Sequence, residues 1–267
     1  MRRFFRTVLF IITLEPALHA QPDPSTLIRE SIERYRNNWH AAMQWGYTQI
    51  DKGEKETTTS KIFPLEGTPY EIVVAKDGKP LPPDLKAKED RKFQKELTSR
   101  RAESPDDRKA RIRKYEMQQD FLKELPAAYD FRPIGEETIA GRPAWIVTLT
   151  PKPGFEPQLP HSEMLKHIEG KLWIDKEDLQ WARAEAHVIG TISIGLILAR
   201  IGPGAHIRID LARVAPGLWL PSKMNINGTA RLLLLHDRKL NEQLLFTDYH
   251  RAPPTPSSKQ IAQMMLR

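Results

Sequence analysis

From Tyr129 to His250 the chain is a succession of short runs in which apolar and polar residues alternate, each stopped by a turn signal. The runs cover residues 129–138, 142–150, 169–174, 181–190, 192–201, 206–214, 218–227, 229–236 and 243–250. Ala140-Gly141, Asp175, Gly202-Pro203-Gly204, Pro216-Gly217, Asn227-Gly228 and Asp237 mark the connections. Alternation of period two describes a strand with one buried face, and closely spaced reversals join neighbouring strands as hairpins. The pattern predicts one large antiparallel sheet. Such a sheet must have its apolar face covered, so the rest of the chain has to supply the cover.

Two segments are candidates for that role. Ser25 reads as a helix N-cap, and Leu27, Ile28, Ser31, Ile32, Tyr35 and Trp39 follow at helical spacing, which predicts an amphipathic helix over 25–43. Strands are expected next at 45–50, 57–63 and 69–75, with Asp77-Gly78 closing the last. Residues 84–125 differ in character. Charges of both signs dominate, and the apolar residues Phe93, Leu97, Ile112, Tyr115, Phe121, Leu122 and Leu125 are sparse. Ser104-Pro105-Asp106-Asp107 is a helix start with proline at the first helical position. We expect two charged helices broken near Glu103; the alternative is a solvated, partly disordered loop. The weak stripes imply that this insertion adds little to the main core.

The N-terminus carries Arg2, Arg3 and Arg6, an apolar run from Thr7 to Leu14, Pro16, and small residues up to Ala20. Basic, apolar and small segments in that order describe a secretory signal peptide, residues 1–20, cut near Ala20; a short uncleaved anchor is the alternative. The run is far short of the ~20 residues that span a bilayer. Residues 192–201 are the next most apolar, but Arg200 and the flanking glycines read as buried strand. The expected compartment is the periplasm. The chain has no cysteine, which excludes thiol catalysis, cysteine-ligated zinc and disulfide stabilisation. It has 41 basic and 34 acidic residues; without residues 1–20 the mature chain keeps 38 and 33, a net of +5. That balance aids solubility and transient contact with anionic membrane surfaces. Export and the lack of an aromatic-basic motif argue against nucleic acid.

No catalytic signature stands out. Of the eight histidines, His161 and His167 are six apart and share no helical face, so no metal site is expected. Gly190-Thr191-Ile192-Ser193 has one residue too many for a nucleophile elbow and reads as a bent strand. Gly202-Pro203-Gly204 lacks the lysine and helix of a phosphate loop. Glu136-Glu137 and the acids from Asp175 to Asp178 read as turn and surface residues. No enzyme and no cofactor are expected.

The series Gly141-Arg142-Pro143-Ala144-Trp145-Ile146-Val147-Thr148-Leu149-Thr150-Pro151-Lys152, Gly170-Lys171-Leu172-Trp173-Ile174-Asp175, Leu218-Trp219-Leu220-Pro221 and Phe246-Thr247-Asp248-Tyr249 resembles the superfamily of periplasmic lipoprotein carriers and outer-membrane lipoprotein-sorting proteins, the LolA and LolB type. The resemblance implies an α+β fold: a large unclosed antiparallel β-barrel over residues 21–252, with the N-terminal helix and the charged helical insertion covering the hollow face. A Pro-rich tail, 253–267, would follow. It also implies a monomeric carrier of a lipid acyl chain or lipoprotein, or a non-catalytic envelope sensor or scaffold with a protein partner. An unrecognised hydrolase is a further rival. No arginine matches the family's transfer-specific basic residue. Alternation alone nominates pocket residues: Trp39 from the helix, and Trp145, Val147, Leu172, Ile174, Ile192, Ile194, Ile207, Ile209, Leu233 and Leu235 from the strands.

Overall fold

Asp23 starts the first helix. Its Oδ2 accepts the Thr26 amide at 3.0 Å, and Pro24 takes the first helical position, where a missing N–H is no loss. The cap is therefore Asp23 and not Ser25, whose hydroxyl donates to the same carboxylate. α1 (Pro24–Ala42) buries Leu27, Ile28, Ser31 and Ile32. The computed structural model describes residues 23–194, 199–232 and 236–253. The expected signal peptide, and the tail beyond Pro253, lie outside the described residues. Among the described residues, no helix is long and apolar enough to cross a membrane.

β1 (Trp45–Lys52), β2 (Thr57–Leu65), β3 (Thr68–Lys76) and the two-residue β4 (Lys79–Pro80) form a meander. Then come α2 (Pro83–Arg101), α3 (Pro105–Glu116), a 3-10 helix (Met117–Glu124) and α4 (Leu125–Ala128). β5 (Tyr129–Ile139), β6 (Arg142–Pro151), a 3-10 helix (Ser162–His167), β7 (Ile168–Asp175) and β8 (Trp181–Val188) follow. β9 (Ile192–Ile194), β10 (Ala199–Ile201), β11 (His206–Ala215), β12 (Leu218–Leu232) and β13 (His236–Arg251) complete the chain. The sheet has 13 strands, ordered β4-β3-β2-β1-β13-β12-β11-β8-β7-β6-β5, with β10 on β12 and β9 on β10. Neighbours are antiparallel throughout. β4 and β5 are the two ends of this path, so the sheet is a curved, unclosed barrel. β5 carries a register shift between Pro133 and Gly135.

Cross-strand partners share a face, so the register defines the inner wall. One row runs Val147, Leu172, Ala184, Ile209, Met224, Leu244, Asp51. Its first half packs under α1. Leu27, Ile28 and Ile32 meet Val147, Leu172, Ile174, Trp181, Leu211 and Trp219 in the main core, and Leu122, Leu125 and Leu165 complete it.

The insertion does more for the core than its sparse apolar residues predict. Phe93 and Leu97 are 3% and 6% exposed, Leu122 and Leu125 5% and 4%. Phe93 and Leu97 pack with Phe63, Leu65 and Ile72 in a second cluster. Tyr47 pairs with Ile62 on the inner face, so Phe63, one residue on, points outward. α2 therefore lies on the outer face of β2 and β3, and the insertion reaches the hollow only from α3 onward. Between the two helices the chain folds around the β2–β3 turn. Arg100 Nη1 donates to the Leu65 carbonyl (2.8 Å) and the Thr68 carbonyl (3.1 Å), and Arg111 Nη2 to the Glu66 carbonyl (2.9 Å). Arg101 and Arg108 pair with Glu66, which is 4% exposed. Gly67, at φ +94, is needed twice over: its conformation favours glycine, and a Cβ there would come within 2.8 Å of the Ile112 side chain.

Three strand expectations are corrected. Residues 192–201 are not one strand: Ile194 pairs with Ala199 and Ile192 with Ile201, so the run folds back on itself. Asn227-Gly228 is not a turn, because β12 runs straight through it. Gly228 instead admits Ala205, whose Cβ would stand 2.5 Å from a Cβ at that position. Asp237 likewise lies within β13, opposite Arg231.

Candidate functional site: an aromatic cavity under the first helix

Between the main core and the β2–β3 hairpin the hollow is not filled. A cavity of ≈ 90 Å³ is lined by Tyr35, Trp39 and Ala42 of α1, Tyr47 of β1, Tyr115 of α3, Trp219 of β12, and Phe246 and Tyr249 of β13, with Pro69 and Leu211 among its other walls. Each aromatic is placed by a local device. Trp39 falls one turn beyond Tyr35 on the core face of α1 and stacks on Tyr115 with ring centroids 5.0 Å apart and an 11° interplanar angle. The Trp39 Nε1–H donates to the Tyr115 carbonyl at 3.3 Å. Tyr35 stacks on Trp181 at 4.3 Å. Tyr47 meets Tyr249 at 5.1 Å and Phe246 at 6.0 Å.

An irregularity in the β1–β13 ladder, between Gly46 and Thr48, brings Tyr47 and Tyr249 together. Asp248 adopts φ +56, and its Oδ2 accepts the Thr48 hydroxyl at 2.8 Å. A Cβ at Gly46 would lie 2.7 Å from the His250 ring and would displace that exposed side chain. The Tyr249 hydroxyl donates to the Pro221 carbonyl at 2.6 Å. On the other side Asn38, 5% exposed, donates from Nδ2 to Gln180 Oε1 at 2.7 Å.

The electrostatics favour neutral walls. Burial, then the Glu71 carboxylate, pushes the Tyr47 phenol up to about 12. Burial, then Tyr47, raises Tyr115 and Tyr249 further. All three phenols stay protonated at neutral pH. Glu71 lies on the same inner-face row as Tyr47, through Ile62. Further along β1, Asp51 Oδ1 is buried and has no hydrogen-bond partner among the described residues. Burial, then Glu71, raises its carboxyl above the usual range.

From Phe246 the inner wall continues as Leu244, Met224, Ile226, Ile209 and Ile207, all only partly buried. An engineered cavity of about 150 Å³ holds benzene, and drug-sized ligands occupy roughly 300–1,000 Å³. The cavity as it stands therefore admits a compact group and not an alkyl chain. A larger groove of ≈ 350 Å³ crosses strands β6–β8 and β11 and is lined by Thr148, Lys171, Glu185, His187 and His206. Its lining is charged, and among the described residues no trio of His, Asp or Glu is placed to hold a metal.

Of the residues nominated from sequence, Trp39 lines the cavity. Val147, Leu172 and Ile174 are spent on the solid core beneath α1, and Trp145 packs at its margin. Ile192 is buried in a separate small cluster with Val188 and Ala205. Ile207 and Ile209 sit on the inner wall, away from the cavity. Ile194 lies in β9, and nothing of its side chain is described; Leu233 and Leu235 lie outside the described residues. Sequence reasoning missed Tyr47, Tyr115, Trp219, Phe246 and Tyr249 as cavity residues. A signal existed, because the segments 218–221 and 246–249 that carry the resemblance supply three of them.

No family model matches the sequence, and no curated protein matches it. Among solved structures the chain is similar to an outer-membrane lipoprotein-sorting protein domain from Vibrio parahaemolyticus, at 10% identity and a TM-score of 0.37, over 90% of this chain and 100% of that one. It is similar to a LolA superfamily protein from Nitrosomonas europaea, at 7% identity and a TM-score of 0.37, over 86% and 94%. It is also similar to MucB in the Pseudomonas aeruginosa MucA/MucB complex, at 12% identity and a TM-score of 0.27, over 85% and 99%. Likeness at this level assigns neither ligand nor partner to the chain.

Proposed function

We propose that this protein is a periplasmic, non-catalytic carrier that holds the acyl chain of a lipid or lipoprotein between the curved sheet and its helices. The observation that carries the reading is the partly buried apolar wall of Ile207, Ile209, Met224, Ile226 and Leu244, which leads from Phe246 at the cavity. A chain laid along it would gain about 25 cal/mol for each Å² removed from water, less the cost of ordering. The cavity of ≈ 90 Å³ is too small to take that chain, so a helix must move for it to enter. α3 has no fully buried side chain, and its apolar contacts with the hollow are those of Tyr115. The basic, apolar and small segments of residues 1–20 support export, and the rest of the pathway to a donor or acceptor is left to a partner.

Met224→Asp tests the reading. Met224 lies on the inner wall outside the main core, so the variant should lose at least about tenfold in affinity for a fluorescent fatty-acid probe while keeping most of its melting temperature. A wild-type protein that binds no apolar probe would sink the carrier reading. The rival, an envelope sensor or scaffold of the same fold, is favoured by the exposed charged faces of α2 and α3. Capture of an envelope protein that depends on residues 84–125, without any lipid, would select it.

A further inference from the structure

The cavity is small, and seven of its thirteen lining residues are aromatic, so a compact group attracted by aromatic rings fits both properties. We infer that it is a cage for a methylated ammonium group, the headgroup of a choline-type amphiphile. The inference rests on the amphiphile-binding reading for the chain attached to that group, and on the cavity's own geometry for the group itself.

Three observations carry it. First, Trp39, Tyr47, Tyr115, Phe246 and Tyr249 set their rings at different tilts around ≈ 90 Å³, room for one compact group and not for a chain. Ring faces attract a cation within about 6 Å of their centroids, and tryptophan and tyrosine do so best. A methylated ammonium has no N–H or only one, so it loses little by leaving water for walls with few acceptors. An ammonium ion or a lysine head would lose more.

Second, the charge balance has the right sign. Among the described residues that line the cavity, none is cationic. Glu71 sits on the Tyr47 row, and Asp51, with one buried unpartnered oxygen, lies further along the same inner face. Neither acid lines the cavity; Glu71 acts on Tyr47 from a distance and adds a pull on a cationic head, against the Arg142 guanidinium 5.5 Å from the Trp219 ring.

Third, the phenols are held neutral. A phenol is already protonated at neutral pH, and burial raises the three tyrosines on the β1–α3–β13 side further, so these walls carry no charge of their own.

The test uses the mature chain and defined probes. Tetramethylammonium chloride, choline and the uncharged carbon isostere of choline are titrated against the tryptophan fluorescence of the protein and by calorimetry. Tetramethylammonium and choline should bind, and the isostere should bind at least about tenfold more weakly. Tyr115→Leu, which removes the ring stacked on Trp39 and keeps an apolar side chain of similar reach, should abolish ammonium binding while the protein still unfolds cooperatively. Glu71→Gln changes an exposed side chain and should weaken ammonium binding a few-fold, with the difference vanishing at high salt. Equal binding of choline and its isostere overturns the inference. So does the absence of ammonium binding, or binding that Tyr115→Leu leaves intact. The fatty-acid probe separates the two readings. A probe that binds while ammonium does not leaves the carrier standing without its cage. Ammonium binding without the probe leaves the cage and removes the carrier.

Discussion

At the scale of single residues, the most consequential contact is the pair Arg142 and Asp175. Asp175 is 1% exposed, and both of its oxygens are satisfied. Arg142 grips it with Nε on Oδ2 and Nη2 on Oδ1, each at 2.7 Å, and the amides of Glu177 and Asp178 add donors at 3.1 and 2.7 Å. The same guanidinium lies 5.5 Å from the Trp219 ring, which ties the β7–β8 turn to a wall of the cavity. Removing the arginine would strand a buried charge, so Arg142→Met should cost about 3–5 kcal/mol in urea denaturation. Burial by itself would raise the Asp175 carboxyl, but Arg142 and the two amides outweigh it and hold the group below the usual carboxylate range. A lowered folded-state value stabilises the protein above the unfolded value near pH 4, and that contribution is lost as pH falls through the folded one. Denaturation curves between neutral pH and pH about 3 should show the loss, and Asp175→Asn should flatten it.

At the scale of elements, the clip formed by α2 and α3 around the β2–β3 turn replaces the view of the insertion as an accessory. Excising residues 84–125 should destroy the cooperative unfolding transition, because it strips Phe93 and Leu97 from one cluster and Leu122 and Leu125 from the other. The single change Phe93→Ala should cost about 3–5 kcal/mol, measured the same way. Circular dichroism of an excised chain that still melts cooperatively would contradict this. The helices themselves were legible: Ser104-Pro105 announces α3, and the Ser104 hydroxyl accepts the Asp107 amide at 3.1 Å as a cap should. The face that α2 chooses was not. Phe93 and Leu97, four apart, specify a contact stripe, but only the pairing of Tyr47 with Ile62 determines that Phe63 meets that stripe from the outside. The strands were legible by alternation. Their breaks were harder, because Asn-Gly reads as a turn by its local preference, whereas Gly228 serves the close approach of Ala205 at the start of the neighbouring strand β11. The cavity was the least legible part. Its aromatics come from α1, β1, α3, β12 and β13, and no local pattern shows which of them leave a gap.

At the scale of the whole molecule, the sheet is sewn together by its first and last strands in sequence. β1 pairs with β13, Trp45 opposite Arg251, and that seam joins the N-terminal meander to the long C-terminal one. Pairing across so much sequence is slow to form, so refolding should be slower than for a helical protein of this size, with the seam completed late. Stopped-flow refolding of Thr48→Val, which removes the hydroxyl bonded to Asp248, should leave the folding rate nearly unchanged and speed unfolding; a slowed folding limb would show the seam forming early.

A barrel that does not close has two rims where main-chain donors and acceptors face outward, and each rim is an invitation to another chain. Here one rim, β4, is only two residues long, the other, β5, is interrupted by Pro133 and the shifted register at Gly135, and the branch from β12 ends in the three-residue β9. None of these offers the long flat template on which strands of a second molecule zip together. An open barrel bounded in this way can stand at high concentration without its edges recruiting copies of the chain into a fibre.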